Sequence, residues 1–148
     1  MALRNSIGNG TVVTVLLEDY QTLDALGILP HLLARLAADV LPFEVIDANS
    51  GENLLLSKLE MLLARRSTGW QVTIVNNHGV TKQPNSAAVV DASQRQVASV
   101  RLKPALGVVA SATLTTTTVA VSKQLAVTNN SVSVAVEAGE LVVLRFTL

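Results

Sequence analysis

The chain has no cysteine. That excludes disulfides, thiol nucleophiles and thiolate metal sites, and it leaves the redox compartment open. Aromatic residues are scarce too, with one Trp, one Tyr and two Phe in 148 residues. Any core must therefore be aliphatic, drawn from the abundant Val, Leu, Ala and Thr. An excess of one charge is also missing: eleven Lys and Arg face eleven Asp and Glu. No basic field exists to attract nucleic acid or an anionic membrane surface, so neither partner is expected. No apolar run reaches the roughly 20 residues that a transmembrane helix needs. Residues 1–10 lack the apolar stretch of a signal peptide, and the sequence assigns no compartment. At this length a chain buries roughly 70 % of its unfolded surface, enough for a core without covalent staples.

What is present begins with residues 59–77, LEMLLARRSTGWQVTIVNN. Trp70, Val72, Ile74 and Asn76 point one way; Gln71, Thr73, Val75 and Asn77 point the other. This period of two, rich in β-branched residues, marks a strand. Arg66-Ser67-Thr68-Gly69 makes a turn, with Gly69 free to take positive φ. Residues 52–66 also carry helical spacing at Leu55, Leu59 and Leu62, and their composition favours helix. The turn and the following strand nevertheless demand a partner, so residues 59–65 are read as the first arm of a hairpin.

The rest of the chain divides in two. Residues 1–10 read as a frayed start with a Gly-Asn-Gly turn, and residues 11–17 as a strand buried on both faces, as in a parallel sheet. Leu26, Leu29, Leu33, Leu36 and Val40 form one apolar stripe. Pro30 suits a first helical turn, which splits the segment into a short element at 22–27 and a main helix at 29–39. Residues 43–46 follow as a strand. Residues 47–53 are a polar linker, so the expected domains are a strand–helix–strand appendage at 1–47 and a β domain at 48–148. Beyond Asn77 the strands expected are 97–102, 108–118, 125–128, 131–136 and 141–148. Turns fall at Asn129-Asn130 and Glu137–Glu140. Short strands at such intervals predict an antiparallel β-sandwich of immunoglobulin-like kind, mainly β with a small α+β start.

Chemistry-bearing patterns are few. There are two histidines. His31 reads as a helix-end residue. His78 follows Asn76-Asn77 at a strand end, where loops carry function. The loop 76–82, with Asn76, Asn77, His78 and Lys82, is one candidate ligand contact; its bland reading is a turn in which Asn side chains bond backbone groups and Gly79 supplies positive φ. Trp70 is the other candidate, as a sugar-stacking platform or, more simply, as core. No spacing of metal ligands occurs around either histidine. G-x-S-x-G and Gly-rich phosphate loops are missing. Glu18-Asp19 at a strand end is the best-placed carboxylate pair, but strand neighbours point to opposite faces. No catalytic residue, metal site or cofactor is therefore assigned. The sequons at Asn9 and Asn129 are of a kind that arises readily by chance.

Three stretches, GNGTVVTVLLEDYQ, LGILPHLLARLAADVLPFEV and LEMLLARRSTGWQVTIVNNHGVTKQP, resemble the tail of multidomain glycoside hydrolases. There a β-galactosidase trimerisation-type, amidotransferase-like domain is followed by a closing β-sandwich. Leu63, Arg65, Gly69, Trp70, Val72, Asn76, Asn77, Gly79 and Val80 carry the phrase, and SVSVAVEAGELVVLRFTL is similar to the final hairpin. The resemblance implies a non-catalytic accessory domain, since the acid and nucleophile carboxylates of that family lie in a barrel that these residues do not match. Its role would be packing or subunit contact, as a homo-oligomer or against other domains of a longer protein. Self-association is expected through residues 11–17 or the Leu29/Leu33/Leu36 face. The alternatives are a carbohydrate-binding module and a small glycosidase-type enzyme using Glu18, Asp19 or His78.

Overall fold

The computed structural model describes residues 2–7, 10–15, 40–55, 58–117 and 121–148. The chain divides into two compact units, Met1–Leu33 and Ala34–Leu148. In the first, β1 (Ala2–Ile7) pairs antiparallel with β2 (Gly10–Val15), from Ala2 opposite Val15 to Ile7 opposite Gly10. This corrects two expectations. Residues 2–7 are a strand rather than a frayed start, and β2 lies in an antiparallel pair rather than a parallel sheet. The physical reason is the connection. A parallel pairing needs a crossover of a dozen or more residues, whereas an antiparallel pair closes through two. The expected helices at 22–27 and 29–39 lie outside the described residues, as do Glu18, Asp19, Tyr20 and His31.

The named strands of the second unit all pair antiparallel. Its strands are β3 (Phe43–Asp47), β4 (Glu60–Arg66), β5 (Gly69–Val75), β6 (Val80–Thr81), β7 (Val89–Val90), β8 (Gln96–Leu102), β9 (Ser111–Thr116), β10 (Lys123–Leu125), β11 (Ser131–Val136) and β12 (Leu141–Thr147). They form a five-stranded sheet, β10-β9-β12-β5-β4, a three-stranded sheet, β11-β8-β3, and the small pair β6-β7. Residues 59–65 are extended, as the hairpin argument required: β4 and β5 pair from Glu60 opposite Val75 to Arg66 opposite Gly69. Helical propensity loses here because each residue of β4 gains a cross-strand partner.

β3 is placed by tertiary pairing rather than by its neighbours in sequence. Phe43 sits opposite Leu102 and Val45 opposite Val100, so β3 belongs to a sheet of the second unit. The division between units falls after Leu33, not at the polar linker 47–53. That linker instead turns back on β3: the Asp47 N–H donates to the Glu52 carbonyl at 2.7 Å and the Leu54 N–H to the Val45 carbonyl at 3.0 Å.

One aliphatic core joins the two sheets. Val72, Ile74, Ala112, Val142, Leu144 and Phe146 come from the larger sheet, and Phe43, Val45, Ala98, Val100, Val132 and Val134 from the smaller. Each set is every second residue of its strand, which follows from the alternation of side chains along a pleated strand. The outward positions are Ser, Thr, Arg, Gln and a few aliphatics, so each sheet has a dry and a wet face.

The strand boundaries shift in places. The expected strand 108–118 begins only at Ser111, because Pro104–Leu106 forms a 3-10 turn ending in Gly107 at φ +128. The expected strand 125–128 is instead β10, which begins two residues earlier, ends at Leu125 and pairs with β9. Asn129 and Asn130 take φ of 52° and 62°, the left-handed pair that a two-residue reversal needs. The sequon at Asn129 lies in that exposed turn, and Asn9 lies outside the described residues.

Candidate functional site

β5 carries both candidate regions, one at each end. At its start, Trp70 is half-buried and points inward. Its ring meets Phe43 edge-on, with centroids 6.0 Å apart and planes at 84°. Phe43 in turn lies 4.9 Å from Phe146. The cation of Arg65, opposite Trp70 in the hairpin, sits 4.7 Å above the indole centroid. Such a contact stabilises by about 0.5–2 kcal/mol depending on exposure. One face of the indole is thus already occupied by this chain. The indole N–H is buried without a hydrogen-bond partner among the described residues, an arrangement that costs roughly 1–3 kcal/mol. The aromatics of the described residues are gathered at this end, where Phe43 of β3 meets Trp70 of β5 and Phe146 of β12.

At the far end of β5, Asn76 is fully buried. Its amide nitrogen donates to the carbonyls of Gln94 at 2.9 Å and Val136 at 3.1 Å. Its amide oxygen accepts the His78 N–H at 3.1 Å. Its backbone N–H donates to the Glu140 carbonyl at 3.0 Å, and its carbonyl accepts from Gly139 at 2.7 Å. The side chain therefore joins the end of β5 to β11 and to the segment before β8, and the backbone of the same residue joins it to the β11–β12 turn. Asn77 is exposed and donates to a Glu60 carboxylate oxygen at 3.2 Å. His78 and Lys82 are exposed. Gly79 adopts φ +79, as the turn reading requires, and a Cβ there would meet Gln94 Cγ at 2.5 Å.

These two regions are not one site. Six residues of extended chain separate Trp70 from Asn76, roughly 20 Å. The structure brings His78 near Asp91, which sequence reasoning missed. Asp91 caps the 3-10 turn Ala92–Gln94, with Ser93 Oγ at 2.7 Å, Ser93 N at 3.0 Å and Gln94 Nε2 at 3.3 Å donating to its carboxylate. Arg95 pairs with Glu137 at 2.8 Å. The signal for Asp91 was legible: Asp two residues before Ser is a local cap pattern. Nothing in sequence marks Arg95 and Glu137 as neighbours. Among the described residues no group of three or more His, Asp or Glu is placed to hold a metal ion.

Two carboxylates are perturbed. The Ser93 hydroxyl, then the Ser93 amide and the Gln94 side chain, hold the Asp91 carboxyl below its ordinary range, with a smaller contribution from His78. The Ser50 amide, then the Asn49 amide, do the same for Asp47. A carboxyl with a lowered folded pKa stabilises the fold while ionised. That contribution is complete above the unfolded value and disappears as pH falls through the lowered folded value. Thermal melts across the acid range are therefore expected to show a decline, and the double variant Asp47→Asn/Asp91→Asn is expected to flatten it. An unchanged acid limb in that variant would refute the assignment.

Comparison with protein-family models, with curated proteins and with solved structures finds no match to this chain.

Proposed function

We propose that the chain is a non-catalytic accessory module, an immunoglobulin-like β-sandwich of the kind that closes multidomain glycoside hydrolases, and that its role is packing or subunit contact. The observation that supports this reading most is the use made of Asn76. Asn76, one of the residues the sequence offers as a ligand contact, is fully buried, and its side chain and backbone tie the end of β5 to β11, to the β11–β12 turn and to the segment before β8. Arg65 likewise occupies a face of the only tryptophan, where a sugar ring would stack. The rivals are a carbohydrate-binding module centred on Trp70 or Tyr20 and a glycosidase-type enzyme using Glu18, Asp19 or His78.

The sole tryptophan makes a clean reporter. The full chain, titrated with a panel of oligosaccharides, is expected to show unchanged Trp70 emission and no calorimetric heat of binding. Chromogenic glycosides are expected to turn over no faster than in buffer. A saturable emission shift, or turnover lost in His78→Ala, would overturn the reading in favour of the first or second rival respectively.

A further inference from the structure

We infer that the outer edge of β4 is a two-fold pairing site for a second copy of this chain, which would join two five-stranded sheets into one continuous sheet. The inference rests on the contact role proposed above and names its surface and partner.

β4 ends the strand order of the larger sheet and is seven residues long. Among the described residues no strand lies on its far side. Half of its backbone N–H and C=O groups are turned to that edge, a template for another strand. The other edges differ. β10 is only three residues long. The far edge of β3 is taken by residues 52–54. β11 is six residues long but has no charged side chain, so nothing in it selects a register or a partner.

The sequence of β4, Glu-Met-Leu-Leu-Ala-Arg-Arg, is self-complementary about Leu63. In an antiparallel pair related by a two-fold axis there, Glu60 of one copy falls opposite Arg66 of the other, and the reverse. Leu62 falls opposite Ala64, and Leu63 opposite itself. All even-numbered residues lie on the outer face of the sheet in both copies, so each acid meets a base twice on the same face. Charged edge strands ordinarily repel a neighbour. Here the same charges oppose every register but one, since a shift of two residues breaks both ion pairs. Glu60 and Arg66 are already held along the outer face by Asn77 and Gln71, at 3.2 and 3.1 Å. A carboxylate and a guanidinium each keep spare hydrogen-bonding capacity after one such contact. Leu62, 67 % exposed on this edge, would then lie within diagonal reach of its own copy, at about 7–8 Å.

Sedimentation velocity and light scattering on the full chain, over a dilution series, test this. The mass is expected to rise with concentration towards twice 15.6 kDa. Glu60→Arg and Arg66→Glu are each expected to weaken the dimer by about tenfold or more, because both opposite-charge pairs become like-charge pairs. The double variant Glu60→Arg/Arg66→Glu restores both pairs with reversed sense, and is expected to regain the wild-type constant while melting like the wild type. A chain that stays monomeric throughout overturns the inference. So does a dimer indifferent to the single swaps, or a folded double variant that remains monomeric. Should a single swap fail to fold, Leu62→Lys must weaken the dimer instead, and an unchanged constant counts against the edge. A dimer insensitive to all of these leaves contact through another surface in place, and the oligosaccharide and glycoside assays decide the accessory role separately.

Discussion

Gly69→Ala is expected to remove a large part of the stability of the second unit. Gly69 is buried where β5 begins, with β4 on one side and Thr147 of β12 on the other. Its φ is +152°, and a Cβ there would collide with the carbonyl oxygen of Phe146, lying also 3.0 Å from the Phe146 carbonyl carbon and 3.1 Å from Thr147 Cα. All three are backbone atoms of a central strand, so no side-chain rotation relieves the clash. Either β5 or β12 must move, and with it Phe146 and the aromatic contact to Phe43. Strain of this kind, added to lost packing, is expected to cost about 3–5 kcal/mol. That is a large part of the roughly 5–15 kcal/mol that holds a typical domain together. Gly51→Ala is the control. Gly51 also has positive φ, +76°, but a Cβ there would meet nothing within 4 Å. Its cost is expected to be about 1–2 kcal/mol, from the left-handed backbone alone. Urea denaturation of both variants separates steric collision from backbone conformation. Equal losses in the two would mean that the approach of β12 to Gly69 has been misread.

Asn76→Ala is expected to cost about 2–4 kcal/mol, although it deletes only a small side chain. The substitution removes the Asn76 amide from the carbonyl of Val136, from the N–H of His78 and from the carbonyl of Gln94, which keeps its bond from the Gln96 side chain at 3.0 Å. Water cannot easily replace it, because Asn76 has no exposed surface. The variant Asn76→Asp tests the hydrogen bonds at nearly constant volume. An aspartate would turn acceptors towards two carbonyls, so its charged form is disfavoured and its folded pKa lies above the unfolded one. Such a group loses stability as pH rises through that folded value. Asn76→Asp is thus expected to gain stability relative to the wild type on acidification, opposite to the trend set by Asp47 and Asp91. Equal pH profiles for the two proteins would show that the amide packs but does not bond.

Both residues were singled out from the sequence, but for partly different reasons. Gly69 was identified as a turn residue with freedom of φ, and it has that freedom; the demand for a bare Cα comes from Phe146, seventy-seven positions away. Asn76 was placed on the same face as Trp70, Val72 and Ile74, a face that turns out to be the buried one, yet a polar residue there reads as a ligand contact or as an internal fastener. Which one holds depends on Gln94 and Val136, whose carbonyls arrive from the 3-10 turn before β8 and from β11. The candidate group Trp70, Asn76, Asn77, His78 and Lys82 was assembled from closeness in sequence. An extended strand carries its first and last residues far apart, so nearness along β5 is distance in space.

Local information, taken alone, determined the alternation of β5, β8, β11 and β12, the reversal at Asn129-Asn130 and the aliphatic character of the core. Each of these rests on interactions within a few residues or on composition. The extended form of residues 60–66 was legible through the turn at Gly69 and the strand beyond it, against their helical propensity; only the tertiary structure decided that β3 pairs with β8 and that β4 is an edge among the described strands. Those outcomes depend on partners distant in the chain, and the backbone hydrogen bonds and buried surface they supply outweigh the fraction of a kilocalorie per residue by which local preference differs.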